Sequence, residues 1–184
     1  MTVAEAQQEV RSVFLGGGVG QAVAGTIWLL SAACGTWLGV QQGILALVVG
    51  GALIFPLTQL VLRLLGRPSS LGRDNPMNQL APQLAFLVPL ALPVIGAAAL
   101  HNVGWFYPAF MVVVGAHYLP FVFLYGMWQY AVLAAVLLGA GVLLGLEAPH
   151  SFSLGGWLNG AVLLLFAVWV GSSREARAAI DASP

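Results

Sequence analysis

Apolar stretches about 20 residues long, the length a helix needs to cross a bilayer hydrocarbon core, recur six times along this chain. They fill residues 13–33, 37–65, 79–100, 104–124, 128–146 and 154–170, with short polar connections between them. Of the 184 residues 60% are apolar and 7% charged, against roughly 25% charged in ordinary soluble domains. This excludes a soluble globular domain. The expected fold is all-α, an integral membrane bundle of about six transmembrane helices over residues 13–171. Residues 1–12 are expected to form a cytoplasmic interfacial helix and residues 172–184 a polar cytoplasmic tail.

Orientation follows from arginine, because cytoplasmic loops collect Lys and Arg. Lysine is absent. With six spans and both termini cytoplasmic, Arg11, Arg63, Arg67, Arg73, Arg174 and Arg177 all fall inside and none falls outside. Trp and Tyr favour the two interfaces. By the same topology Trp37, Trp105, Tyr107 and Trp157 lie at outer ends, and Tyr125, Trp128, Tyr130 and Trp169 at inner ends. Ahead of the first span, Thr2 and Glu5 have capping-box spacing, and Val3, Ala6, Val10 and Phe14 share one helical face, which predicts a short surface helix.

Six arginines balance six acids, so charge points to no nucleic-acid partner. The partner the composition demands is a lipid bilayer, here a bacterial cytoplasmic membrane. Cys34 is the single cysteine, which excludes an intrachain disulfide and a multi-thiolate site. It is read as a small buried residue rather than a lipidation site, because Glu5 and Glu9 precede the apolar run. Small residues recur at four-residue spacing: Gly16, Gly20 and Ala24; Gly35, Gly39 and Gly43; Gly141 and Gly145; Gly156 and Gly160. Such rows let backbones approach in lipid, where water exclusion does not drive association. They suit packing within one bundle, or else a homo-oligomer contact. No internal repeat is evident.

An interior proline leaves the carbonyl four residues earlier without its donor. Pro56 is expected to free Ala52, Pro89 to free Ala85, Pro93 to free Pro89, and Pro120 to free Ala116 with a bend in span four. At about 1.5 Å per residue, Gln21, Thr58, Gln59, Gln83 and His117 fall in the inner half, level with the Ala85 and Ala116 carbonyls. These seven residues form a candidate substrate-binding cluster open to the cytoplasm, with His117 able to titrate near neutrality. The competing reading is interhelical glue, a common use of glutamine. A weaker candidate lies at the outer face, where His101, Glu147 and His150 could complete a three-ligand zinc site, near Asn102, Gln41 and Gln42.

Enzyme chemistry has little to stand on. Asp74 and Asp181 are the aspartates and both lie outside the spans, so an intramembrane aspartyl pair is excluded. The run Gly16-Gly17-Gly18-Val19-Gly20 sits in an apolar helix rather than after a strand, which is not a phosphate loop. No cofactor is expected. The segments Phe55-Pro56-Leu57 to Arg67, Asn75-Pro76-Met77-Asn78, and Gly115-Ala116-His117-Tyr118-Leu119-Pro120-Phe121 with Leu124-Tyr125-Gly126 resemble an uncharacterised family of small bacterial multispan membrane proteins. That resemblance implies no activity and no site residue. The leading functional expectation is binding or transport of a small solute or ion through the inner-half cluster. The alternative is a non-catalytic scaffold or accessory subunit.

Overall fold

A computed structural model describes all residues except 69, 149 and 182–184, with side chains described through Ser173. Every regular element in this range is helical. In chain order they are α1 (Val3–Val13), α2 (Gly18–Trp37), α3 (Val40–Leu64), α4 (Met77–His101), α5 (Phe106–Tyr118), α6 (Phe121–Tyr125), α7 (Gln129–Glu147) and α8 (Leu154–Asp181). Two 3-10 turns, Leu15–Gly17 and Val103–Trp105, join α1 to α2 and α4 to α5.

Five segments are long and apolar enough to cross a membrane: Leu15–Trp37, Val40–Leu64, Met77–His101, Gln129–Glu147 and Leu154–Ser173. The expected fourth span departs from this pattern, because it is divided. Helix α5 rises only about 20 Å at 1.5 Å per residue, short of the roughly 30 Å hydrocarbon core, and then breaks at Leu119-Pro120 before α6. Pro120 lacks the N–H that would carry the ladder on, and the chain tightens instead. The Leu119 N–H bonds Ala116 O at 3.2 Å, and the Val122 N–H bonds Leu119 O at 3.1 Å. The Ala116 carbonyl is therefore not freed, contrary to the sequence expectation.

Helix α1 carries the capping box its sequence indicates. The Thr2 N–H donates to Glu5 Oε2 at 2.7 Å, and the Glu5 N–H donates to Thr2 Oγ1 at 3.3 Å. Hydrogen bonds from the Thr2 backbone N–H, the larger cause, and from the Thr2 side chain hold the Glu5 carboxyl below the usual carboxylate range. One face of α1 is buried through Ala6, Val10 and Val13. The chain leaves it through Leu15, Gly16 and Gly17, all at positive φ (53°, 64° and 84°). Two consecutive glycines make that left-handed corner accessible. Gly16 thus belongs to a joint rather than to a packing row.

Helix α2 is central, with α3 and α8 against it, while α5 packs mainly on α7 and also touches α4 and α8. Glycine decides how close these helices come. A Cβ on Gly25 would lie 2.9 Å from Gly160 O, and one on Gly160 would lie 3.0 Å from Gly25 O. On Gly43 it would meet Gly35 Cα at 2.7 Å, and on Gly141 it would meet Pro108 O at 2.8 Å. Gly20, Gly145 and Gly156 likewise face Thr58, Pro108 and Tyr107. The predicted rows are filled by atoms of the same chain.

Trp28 is buried with the tyrosines, but other tryptophans are not. Trp37 and Trp128 are 73% and 63% exposed, as interfacial residues should be, whereas Tyr107 and Tyr130 are fully buried and Tyr125 nearly so. Their hydroxyls are used inside the bundle. One end gathers α1, α6, Gly72 and Asn75 of the connection after α3, and Trp128 and Trp169, whose rings stand 5.6 Å apart. This is the arginine end. Trp37 and Trp157, 5.8 Å apart, mark the opposite end.

Candidate functional site

The residues singled out from the sequence split into three groups. Gln21 on α2 is buried, and its Oε1 accepts from Tyr118 Oη of α5 at 2.7 Å. Thr58 on α3 faces Gly20, the residue beside Gln21. Thr58 Oγ1, Gln59 Oε1 and His117 Nδ1 are buried with no hydrogen-bond partner among the described residues. His117 stands edge-on to Phe121 at 4.8 Å, tilted against Tyr118 at 5.4 Å, and faces the Leu84 backbone. Gln83, Ala85 and Ala116 are exposed and point away. A helix turns 100° per residue, so equal depth along the bundle did not put those three on the inner face.

Tyrosines organise the polar interior at this end. Tyr130 Oη donates to Gly16 O at 2.9 Å, across the left-handed corner. Its ring stacks on Tyr125 at 5.1 Å and tilts against Phe166 at 5.0 Å. Tyr118 and Phe121 complete the cluster. Such ring pairs contribute about 0.5–1.5 kcal/mol each beyond their area burial. Sequence reasoning assigned Tyr125 and Tyr130 to the interface and passed over Tyr118. Their proximity to the Pro120 break was the available signal.

The cluster was expected to open toward the arginine end, and α1 covers that end instead. Gln7 Nε2 donates to Phe123 O, and Arg11 donates to Tyr125 O. Both acceptors are carbonyls at the C-terminus of α6, where helical partners run out. Glu9 accepts from the Gly72 N–H, and from Asn75 Nδ2 at 2.9 Å. These two bonds, the Gly72 one the stronger, hold the Glu9 carboxyl below the usual carboxylate range. Asn75 also donates to Ala6 O at 3.2 Å, and its Oδ1 accepts from the Met77 N–H at 2.9 Å. These bonds make the amphipathic α1 a strap tied to α6, Gly72 and Asn75.

Toward the opposite end, Ser31 Oγ donates to Gly43 O at 2.8 Å and meets Tyr107 Oη at 2.6 Å. With the serine hydrogen committed to Gly43, Tyr107 is the donor. Asn159 on α8 is fully buried, and neither Nδ2 nor Oδ1 has a partner among the described residues. Sequence reasoning missed Ser31 and Asn159, although each is a polar residue inside an apolar stretch, the same signal that marked Gln21. The outer-face metal candidates do not assemble. Among the described residues no three His, Cys, Asp or Glu side chains come together, and His101 instead lies against Trp105 at 5.2 Å. The span separation along the chain did not bring their loops to one point.

Two shallow apolar grooves indent the perimeter. One, of about 240 Å³, lies between α4, α5 and α7, and the other, of about 260 Å³, between α7 and α8. Neither is lined by any of the seven cluster residues. Residues 3–173 match a family of unknown function, DUF7010. No curated protein and no solved structure matches the chain.

Proposed function

The chain belongs to the DUF7010 family of unknown function, and we propose that it is a non-enzymatic membrane protein that binds and passes a small solute or ion through the inner half of its bundle. In this reading α5, the Pro120 turn and α6 cross together as one broken span, the fourth in chain order, which brings the number of spans to six. The arginine end faces the cytoplasm of a bacterial cell, because basic residues are retained there.

One observation carries the proposal. Glue residues pair with one another, as Gln21 and Tyr118 do. Thr58 Oγ1, Gln59 Oε1 and His117 Nδ1 do not, and a stranded buried polar atom costs about 1–3 kcal/mol. Thr58, which faces Gly20 beside Gln21, and His117, next to Tyr118, bring two such atoms to the buried pair, which a ligand accounts for better than packing does. The strap formed by α1 makes this a state closed at the cytoplasmic end.

The scaffold reading is favoured by a different feature. In the most apolar window of α3 only 6% of residues are buried, and in that of α4 11%. Away from their contacts with α2 and α5, both helices therefore offer most of their surface to lipid or to a partner.

Purified protein in liposomes separates the two. Thr58→Val, Gln59→Leu and His117→Ala should lower the flux of a transported species, with urea, glycerol, K⁺ and Cl⁻ as probes. Thermal unfolding of Thr58→Val and Gln59→Leu should stay within about 1 kcal/mol of the parent, since neither loses a paired bond, whereas His117→Ala also gives up its bond to the Leu84 backbone. Parent vesicles that move none of the probes faster than protein-free vesicles would leave the scaffold reading.

A further inference from the structure

Among the described residues four polar side chains are buried: Gln21, Ser31, Asn75 and Asn159. Asn75 belongs to the α1 strap. The other three lie along one seam, where α2 meets α5 and α8. Gln21 is tied to Tyr118 of α5, and Ser31 to Tyr107 of α5. The α2–α8 crossing gives the level of Asn159, because Gly160 packs on Leu29 and Gly25, and Gly156 packs on Ala32. Asn159 is therefore level with α2 residues between 25 and 32, between its two polar neighbours. It shares its helix face with Gly155, which rests on Tyr107 and Met111 of α5.

Gln21 and Ser31 are separated by about 15 Å at 1.5 Å per residue. Taking the middle of the 25–32 interval, Asn159 stands roughly 11 Å along the axis from Gln21 and roughly 4 Å from Ser31, about four and about one hydrogen-bond lengths. The two outer stations are satisfied pairs. The middle one is an amide with no partner on either atom, in surroundings where an unmade hydrogen bond is at its most expensive. A packing role does not explain it, since leucine would fill the same volume without that cost.

We propose that the α2–α5–α8 seam is the path of a small neutral hydrogen-bonding solute, with Asn159 as its central binding station. The amide offers two donors and one acceptor, which suits water and molecules of similar size and polarity. At the level of Asn159, α2 meets α5 through Trp28, Tyr107 and Phe110, and among the described residues no carboxylate, guanidinium or imidazole is found there, so an ion would bear an uncompensated desolvation cost. This rests on the transport reading above and narrows its substrate class from solute or ion to neutral solute. It also extends the path outward from the Gln21–Tyr118 pair.

Stopped-flow osmotic shrinkage of proteoliposomes tests it, with water and urea as probes and K⁺ flux read in the same vesicles. The parent should shrink faster than protein-free vesicles. Asn159→Leu should lower that increment by about tenfold, the equivalent of about 1.4 kcal/mol at the barrier, while melting no lower than the parent. Asn159→Ser, which keeps a donor and an acceptor, should retain most of it. Three results would overturn the inference: unchanged permeability in Asn159→Leu, a parent conducting K⁺ but neither neutral probe, or a marked loss of stability in Asn159→Leu. In the first two, flux lost in His117→Ala but kept in Asn159→Leu would leave the broader transport proposal standing.

Discussion

Replacing Tyr118 by Phe deletes one hydroxyl and leaves the ring against Phe121 and Tyr130. That hydroxyl donates to Gln21 Oε1 at 2.7 Å, and the two residues are 6% and 4% exposed. Water cannot readily replace either partner. A stranded buried acceptor costs about 1–3 kcal/mol, whereas interhelical bonds measured in membranes average about 0.6 and reach about 1.7 kcal/mol. Gln21 also faces the Tyr130 hydroxyl, which offers partial relief. Tyr118→Phe is therefore expected to cost about 1 kcal/mol, and Gln21→Leu about 1–2 kcal/mol, because it strands the Tyr118 hydroxyl outright. The double variant removes both halves and should be more stable than the sum by about 1 kcal/mol. Reversible unfolding in mixed micelles with rising SDS, followed by tryptophan fluorescence, gives all four corners of the cycle. A coupling within about 0.3 kcal/mol of zero would refute the claim that this pair joins α2 to α5.

Gly17→Ala should destabilise by about 2–4 kcal/mol, combining left-handed strain with overpacking, because φ is 84° and the new Cβ would lie 1.9 Å from Tyr130 Oη. Tyr130→Phe in that background should recover part of the loss, and simple additivity would show that the hydroxyl is not the obstacle. The depressed Glu9 carboxyl stabilises the strap above the ordinary carboxylate pKa of about 4.3, and that contribution is lost as pH falls through the folded value. Protection factors of α1 amides, with the intrinsic pH dependence of exchange divided out, should fall below that pH, and in Glu9→Gln the Glu9 part of the fall should disappear; a strap equally protected at pH 7 and pH 3 would contradict it. In a Cys34→Ala background, Ser70→Cys should react with an impermeant maleimide only from the cytoplasmic side and Ser151→Cys only from outside. Reaction of Ser70→Cys from outside would invert the orientation.

The sequence by itself determined the helical membrane-spanning class, the approximate position of every apolar segment and the capping box of α1. These depend on composition, on runs of hydrophobicity and on contacts within three or four residues, all of which are local. It also marked Gln21 and His117, since a polar group in an apolar run carries its cost wherever it lies. Only the tertiary structure decided which polar groups meet. Gln83, Ala85 and Ala116 share a depth with Gln21 but not a direction, because rotation about a helix axis is set by packing partners that depth does not reveal. Tyr107 and Tyr130 moved from the expected interface to the core because Ser31 and the Gly16 carbonyl, distant in sequence, accept their hydroxyls. The Pro120 break was legible, but the state of the Ala116 carbonyl was not. A 3-10 bond three residues back satisfies it, and whether a chain tightens or stays open at a proline depends on what α1 and α4 leave room for. The polar seam around Asn159 had a mark in the sequence, one amide in an apolar helix. Its company came from glycine contacts between α2 and α8 that bring residues about 130 positions apart to one level.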